Sequence, residues 1–113
     1  MLEDYARVVE QREVTVAVCS GVIVGALVLG QNDEGFRLVT MAVHPSFQKQ
    51  GLGRTLLRLA EAEAVRRGYD SIYLSTNEKM VENQALYSRI GYVEYDRRIE
   101  NGYSRVYMRK RLP

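Results

Sequence analysis

The apolar positions along this chain switch repeatedly between a helical and a strand period. Leu2, Tyr5, Val8 and Val9, set among charges, follow helical spacing and predict the end of a helix over Leu2–Arg12. Val14 to Cys19 and Val22 to Leu29 are dense in β-branched residues, and Ser20–Gly21 between them suits a tight hairpin turn. Gly30 to Gly35 reads as a longer polar turn. Phe36 to Val43 then forms a third apolar strand, stopped by His44–Pro45. From Gly51 the period becomes helical: Leu52, Leu56, Leu59, Ala60 and Ala64 line one face, with Arg54, Arg58, Glu61 and Arg66 elsewhere. Arg66 and Arg67 suit the negative end of that helix, and Gly68 is placed to cap it. Ser71 to Ser75 is a short strand, and Val81 to Ile90 a second helix stopped by Gly91. Tyr92–Ile99 and Tyr103–Arg109 make a final hairpin across Asn101–Gly102.

The order predicts an α+β domain with a mixed, mainly antiparallel sheet flanked by helices. A crossover helix between the third and fourth strands makes those two parallel. A length of 113 residues suits a single domain over 1–113.

Composition narrows the function classes. With 46% hydrophobic and 27% charged residues, the chain reads as folded rather than disordered. The lone Cys19 closes no intrachain disulfide, and with one histidine, His44, a Cys/His zinc site is out of reach, so no metal is expected. No base neighbours Cys19 in sequence, and a strand cysteine reads as a small core residue rather than a nucleophile. A net charge of +2 falls well short of a dedicated nucleic-acid binder. Basic residues do gather late: Arg97, Arg98, Arg105, Arg109, Lys110 and Arg111, with Glu100 the one acid within residues 97–111, read as a solvated face. Tyr103, Arg105, Tyr107 and Arg109 alternate onto one face of the last strand, as in a base-stacking surface. Without an RNA-binding fingerprint, the expectation is that the tyrosines cover the sheet while the arginines stay hydrated, with no nucleic-acid partner. The apolar stretch Val14–Leu29 is broken at Ser20–Gly21, whereas a spanning helix needs about 20 apolar residues. The opening Met1–Glu3–Asp4 does not read as a secretory signal. A soluble cytoplasmic protein without a membrane partner is expected.

The most informative stretch is Val43–His44–Pro45–Ser46–Phe47–Gln48–Lys49–Gln50–Gly51–Leu52–Gly53–Arg54. A strand ends, a polar turn follows, and glycines open a long helix. Unpaired N–H groups at that helix start, reinforced by the dipole, make an anion site. Glycines let a diphosphate approach the backbone, and Lys49 and Arg54 add mobile positive charge. No Gly-x-x-x-x-Gly-Lys-Ser/Thr is present, which excludes a P-loop. A dinucleotide fingerprint is excluded by Leu56, where a small residue is required.

The run Gln48–x–x–Gly51–x–Gly53 resembles the acyl-CoA pyrophosphate loop of the GNAT superfamily of N-acetyltransferases. A second segment, Asn83–Gln84–Ala85–Leu86–Tyr87–Ser88–Arg89–Ile90–Gly91–Tyr92, is similar to that family's Asn…Tyr-x-x-x-Gly-Phe/Tyr motif on the helix after the next strand. The likeness extends from Val14 onward and implies the GNAT fold and transfer of acetyl from acetyl-CoA to a primary amine in one ternary complex. It implies a splay between the third and fourth strands, beside a bulge near the Val–x–Pro stretch. The pantetheine arm would pair there with the backbone of Met41 and Val43. Gln48, Lys49, Gln50, Gly51, Leu52, Gly53 and Arg54 would hold the diphosphate, and Asn83 would be a hydrogen-bonding contact. Tyr87 becomes the proton donor to the departing thiolate, a task suited to a phenol near pKa 10 facing a thiol near 8.5.

The general base is the weak point. Some family members carry a glutamate where Arg37 stands, and an arginine accepts no proton. Glu34 through a water and His44 are the remaining titratable groups nearby, and a water chain is the expectation. The family normally begins with a strand and two helices, whereas one helix end precedes the hairpin here. That implies a short form or a missing N-terminal part, with the acceptor pocket open to a protein surface or completed by another subunit. Exposed edge strands favour a homodimer. The competing reading is a non-catalytic acyl-CoA-binding or regulatory module.

Overall fold

A computed structural model describes residues 12–48 and 51–113. The predicted helix end falls outside them, apart from Arg12, which opens the first strand. Among the described residues six strands form one sheet: β1 (Arg12–Cys19), β2 (Val22–Asn32), β3 (Gly35–Val43), β4 (Ser71–Asn77), β5 (Val93–Glu100) and β6 (Tyr103–Arg111). Their order is β1-β2-β3-β4-β6-β5, and every neighbouring pair is antiparallel except β3 and β4. The described helices α1 (Leu52–Arg66) and α2 (Val81–Arg89) flank β4 in sequence, and a 3-10 turn spans Pro45–Phe47. This is the mixed sheet with helices that the sequence predicts.

Both short hairpins turn where their dipeptides require it. Ser20 and Gly21 have φ of 51° and 79°, and Asn101 and Gly102 have 53° and 79°, a twist that matches the flanking strands. The longer turn expected over Gly30–Gly35 is corrected. β2 runs on to Asn32, and Asp33 and Glu34 alone make the turn. The Asn32 side chain accepts from the Glu34 N–H and stands in for a backbone partner.

The core lies on the face that carries the helices. Leu27, Leu29, Phe36, Leu38, Ile72, Leu74, Val106 and Met108 rise from the sheet to meet Leu56, Leu57, Ala60 and Ala64 of α1. The expected face of α1 is corrected at one position. Leu59 is half exposed and Leu57 is buried instead, because the stripe centred on Leu56, Ala60 and Ala64 leans towards residue 57 at 100° per residue.

Both helices end on glycine caps. After α1 the Gly68 N–H donates to the Val65 carbonyl and Tyr69 N–H to the Ala64 carbonyl. After α2, Gly91 N–H donates to Ser88 and Tyr92 N–H to Tyr87. Each is the double bond of a left-handed helix stop, at φ of 88° and 106°. A Cβ at Gly68 meets open space, whereas at Gly91 it lies 3.2 Å from Cε of Lys110. Gly68→Ala is therefore expected to cost about 1 kcal/mol and Gly91→Ala about 2 kcal/mol, read from the urea midpoint at constant slope.

Candidate active site

Parallel strands β3 and β4 pair at two positions only, Phe36↔Ile72 and Arg37↔Tyr73. Beyond them the strands part. The cause lies in β3: between Leu38 and Thr40 the register against β2 slips by one, so Val39 is an extra residue. An extra residue bends the strand that carries it. The bulge sits four residues before Val43 rather than at the Val–x–Pro stretch itself.

The gap is a cleft of about 270 Å³, lined on β3 by Leu38–Met41, on β4 by Leu74–Asn77, and further by Met80, Asn83, Tyr87 and Arg105. Tyr87 and Asn83 are one helical turn apart on α2, so both reach the same side. Asn83 Nδ2 donates to Met80 Sδ at 3.7 Å. The Tyr87 ring is half-buried edge-on to Tyr92, 5.8 Å between centroids, and burial pushes its hydroxyl above the usual phenol range. Among the described residues no group takes a hydrogen bond from that hydroxyl.

At the other end of the helix face, Gly51 caps α1 at φ 80°, and no atom stands within 4 Å of where its Cβ would be. No acidic residue occupies the first turn of α1. Gly53 lies against β3: a Cβ there would rest 3.8 Å from Cε of Met41 and from Cγ2 of Val43. The start of α1 and the β3 edge are thus one continuous surface. Gln48 Nε2 ties it together by donating to the Val43 carbonyl at 3.2 Å. The start of α1, at Leu52, Gly53 and Arg54, keeps the outward N–H groups that any helix start leaves. Lys49 and Gln50 fall outside the described residues.

The structure therefore brings Met41, Asn83 and Tyr87 together in the cleft, and Val43, Gln48, Gly51 and Gly53 beside it. Sequence reading missed Thr40, Ser75, Thr76, Asn77 and Arg105, which also line it. The polar run Ser75–Thr76–Asn77, closing an apolar strand, is the signal that was there to be found.

The titratable neighbours stand elsewhere. His44 Nδ1 accepts from the Ser46 N–H at 3.1 Å as the cap of the 3-10 turn. Glu34 is gripped by Arg98 at 2.7 and 2.8 Å and by the Tyr95 hydroxyl at 3.0 Å, and Arg98 above all lowers its pKa to about 2. A carboxylate so held is a poor base. Its folded pKa lies below its ordinary value, so the stability it contributes is full above about pH 4.5 and lost as pH falls towards 2. Melting temperature is expected to drop through that window, and to drop less in Glu34→Gln.

The arginines of the last strands are not merely hydrated. On the sheet face away from the helices, Arg98 lies 4.0 Å over the Tyr107 ring, and Arg109 5.1 Å from both Tyr73 and Tyr95. Arg109 also donates to the Ser71 hydroxyl and the Glu34 carbonyl. Tyr107 is buried beneath this layer and offers no open ring to a base. Cys19 is exposed at the end of β1, not a core residue. Among the described residues no three His, Cys, Asp or Glu side chains gather as metal ligands.

The family model described as acetyltransferase (GNAT) domain matches residues 10–94. Solved structures similar in fold include three acetyltransferases. A GNAT family acetyltransferase from Elizabethkingia anophelis, with acetyl-CoA bound, is 22% identical, with a TM-score of 0.81 over 97% of this chain and 82% of that one. The ribosomal-protein-S18-alanine N-acetyltransferase from Escherichia coli is also 22% identical, with a TM-score of 0.81, over 97% of this chain and 76% of that one. Nourseothricin acetyltransferase is 21% identical, with a TM-score of 0.80, over 91% of this chain but only 66% of its own.

Proposed function

Because the chain belongs to the GNAT acetyltransferase family, we propose that residues 1–113 form a single N-acetyltransferase domain. It moves an acetyl group from acetyl-CoA to a primary amine by direct transfer in a ternary complex. The observation that carries this reading is the cleft at the β3/β4 splay, faced by Tyr87 and Asn83 and continuous with the glycine-capped start of α1. The bound acetyl-CoA of the Elizabethkingia protein supports it by likeness of fold.

The residues present fit that cosubstrate. The N–H groups of Leu52, Gly53 and Arg54, with Gln48, Lys49, Gln50 and Gly51, are assigned to the diphosphate. The open β3 edge at Met41 and Val43 is assigned to the pantetheine arm, as strand backbone pairs with any extended chain. Acetyl-CoA supplies an activated thioester carbonyl. A backbone N–H of β3 polarises the carbonyl oxygen. Tyr87, kept protonated by its burial, gives a proton to the leaving sulfur. Asn83 orients the cosubstrate. With no carboxylate or histidine among the described residues lining the cleft, a water relay takes the amine's proton. The protein acts in the cytoplasm, and a homodimer through an outer edge of β1 or β5 belongs to the same reading.

Calorimetry with acetyl-CoA, followed by thiol release with an amine panel, tests this. Saturable heat and amine-dependent thiol are expected. Heat without thiol from any amine would leave an acyl-CoA-binding module. The absence of heat at modest ionic strength would refute both.

A further inference from the structure

The cleft lies where β3 and β4 part and is lined from both faces of the sheet, and the described residues on the two sides differ in charge. Val106 and Met108 of β6 point into the helix-side core, so Arg105, Tyr107 and Arg109 face the other way. Tyr87, packed against the helix-side core, and Asn83 one turn before it line the helix side, and Arg105 lines the opposite side. The acceptor must approach from the side that the cosubstrate leaves free.

Arg105 is the under-used arginine of its neighbourhood. Arg97 meets Glu94 at 2.7 Å, Arg98 meets Glu34 at 2.7 Å, and Arg109 donates at 2.9 and 3.0 Å. Among the described residues Arg105 has one long ion pair, 3.7 Å to Glu100, whose other oxygen already takes the Tyr107 hydroxyl at 2.7 Å. Among the described residues, none that lines the cleft carries a carboxylate, and the rest of the lining is neutral. A second cation lies along the same face: Arg37 sits at the closed end of the splay, 5.7 Å over Tyr73, with a buried Nε that has no partner among the described residues.

We infer that the acceptor carries a carboxylate close to its amine, and that the Arg105 fork receives it on the helix-free side. The acceptor is then of the amino-acid class. Planar guanidinium and carboxylate match in two parallel bonds, which fixes the neighbouring amine as well as binding it. Polyamines and other polycations would bring like charge to the same side. This inference rests on the proposed transferase reading and assigns the acceptor subsite within it.

The test compares the common amino acids with their α-amides, and with spermidine, as acceptors and as ligands. In the wild-type protein the best acid should exceed its amide in kcat/KM by roughly tenfold or more. Arg105→Gln should bring that ratio close to one through the acceptor KM, with the KM for acetyl-CoA unmoved. Arg105→Lys, which keeps charge but not the fork, should fall between. Calorimetry in the presence of coenzyme A reads the subsite without turnover: the acid should bind roughly tenfold tighter than the amide in wild type, and no tighter in Arg105→Gln. Equal rates and affinities for acid and amide, a preference for spermidine, or discrimination that survives in Arg105→Gln would overturn the assignment while acetyl-CoA binding stood. Loss of acetyl-CoA binding itself would bring down the transferase reading and this inference together.

Discussion

Tyr87→Phe is expected to lower kcat by at least about a hundredfold, or about 2.7 kcal/mol of barrier, while acetyl-CoA affinity barely moves. The substitution removes one oxygen and keeps the ring, so the edge-on contact with Tyr92 survives and so does the end of α2. Its hydroxyl has no other employment: among the described residues nothing accepts from it. A phenol with a merely structural bond would cost stability when removed, and this one should not. The measurements are pre-steady-state thiol release for kcat, calorimetry for affinity, and urea unfolding for stability. A kcat within a factor of about three of wild type would show that the sulfur takes its proton from elsewhere.

Gly53→Glu should weaken acetyl-CoA binding by about a hundredfold or more. A carboxylate some 5 Å from a diphosphate, at an effective dielectric near 20, costs about 3 kcal/mol. The control is Gly53→Ala. Its added methyl would rest at ordinary contact distance from Met41 and Val43, and the backbone there has no positive φ to strain. Affinity in Gly53→Ala should stay within a few-fold of wild type. Equal affinity in wild type and Gly53→Glu would remove the diphosphate from the start of α1. Raising salt should weaken wild-type binding, because part of the attraction is between charges.

Much of the fold could be read locally. Ser20–Gly21 and Asn101–Gly102 fix their turns through left-handed backbone that neighbouring residues cannot override. Gly68 and Gly91 end their helices by the same means. The helix-spaced Leu56, Ala60 and Ala64 named the buried face of α1, and the two motifs placed Asn83 and Tyr87 on one helix. What escaped depends on residues distant in sequence. Glu34 looks like a solvated turn acid until Arg98, 64 positions away, closes on it. Tyr107 and Arg109 look like an alternating hydrated strand until Arg98 covers one ring and Tyr73 and Tyr95 flank the other cation. The run into Asn32 looks like a turn because its residues are polar, yet ladder bonds do not ask for apolar side chains. Arg105 carries no local mark either: its place in the cleft follows from its register opposite Asn77.

The surplus residue Val39 has an evolutionary corollary. Leu38 pairs with Leu29, Thr40 with Val28 and Met41 with Leu27, so alternation resumes correctly once that one residue is skipped. A deletion of this single codon would leave every other side chain of the strand pointing where it now points. What it would remove is the bend, allowing two parallel strands to zip together along their length. The difference between a sheet closed along β3 and β4 and one with a cleft between them is thus one amino acid long.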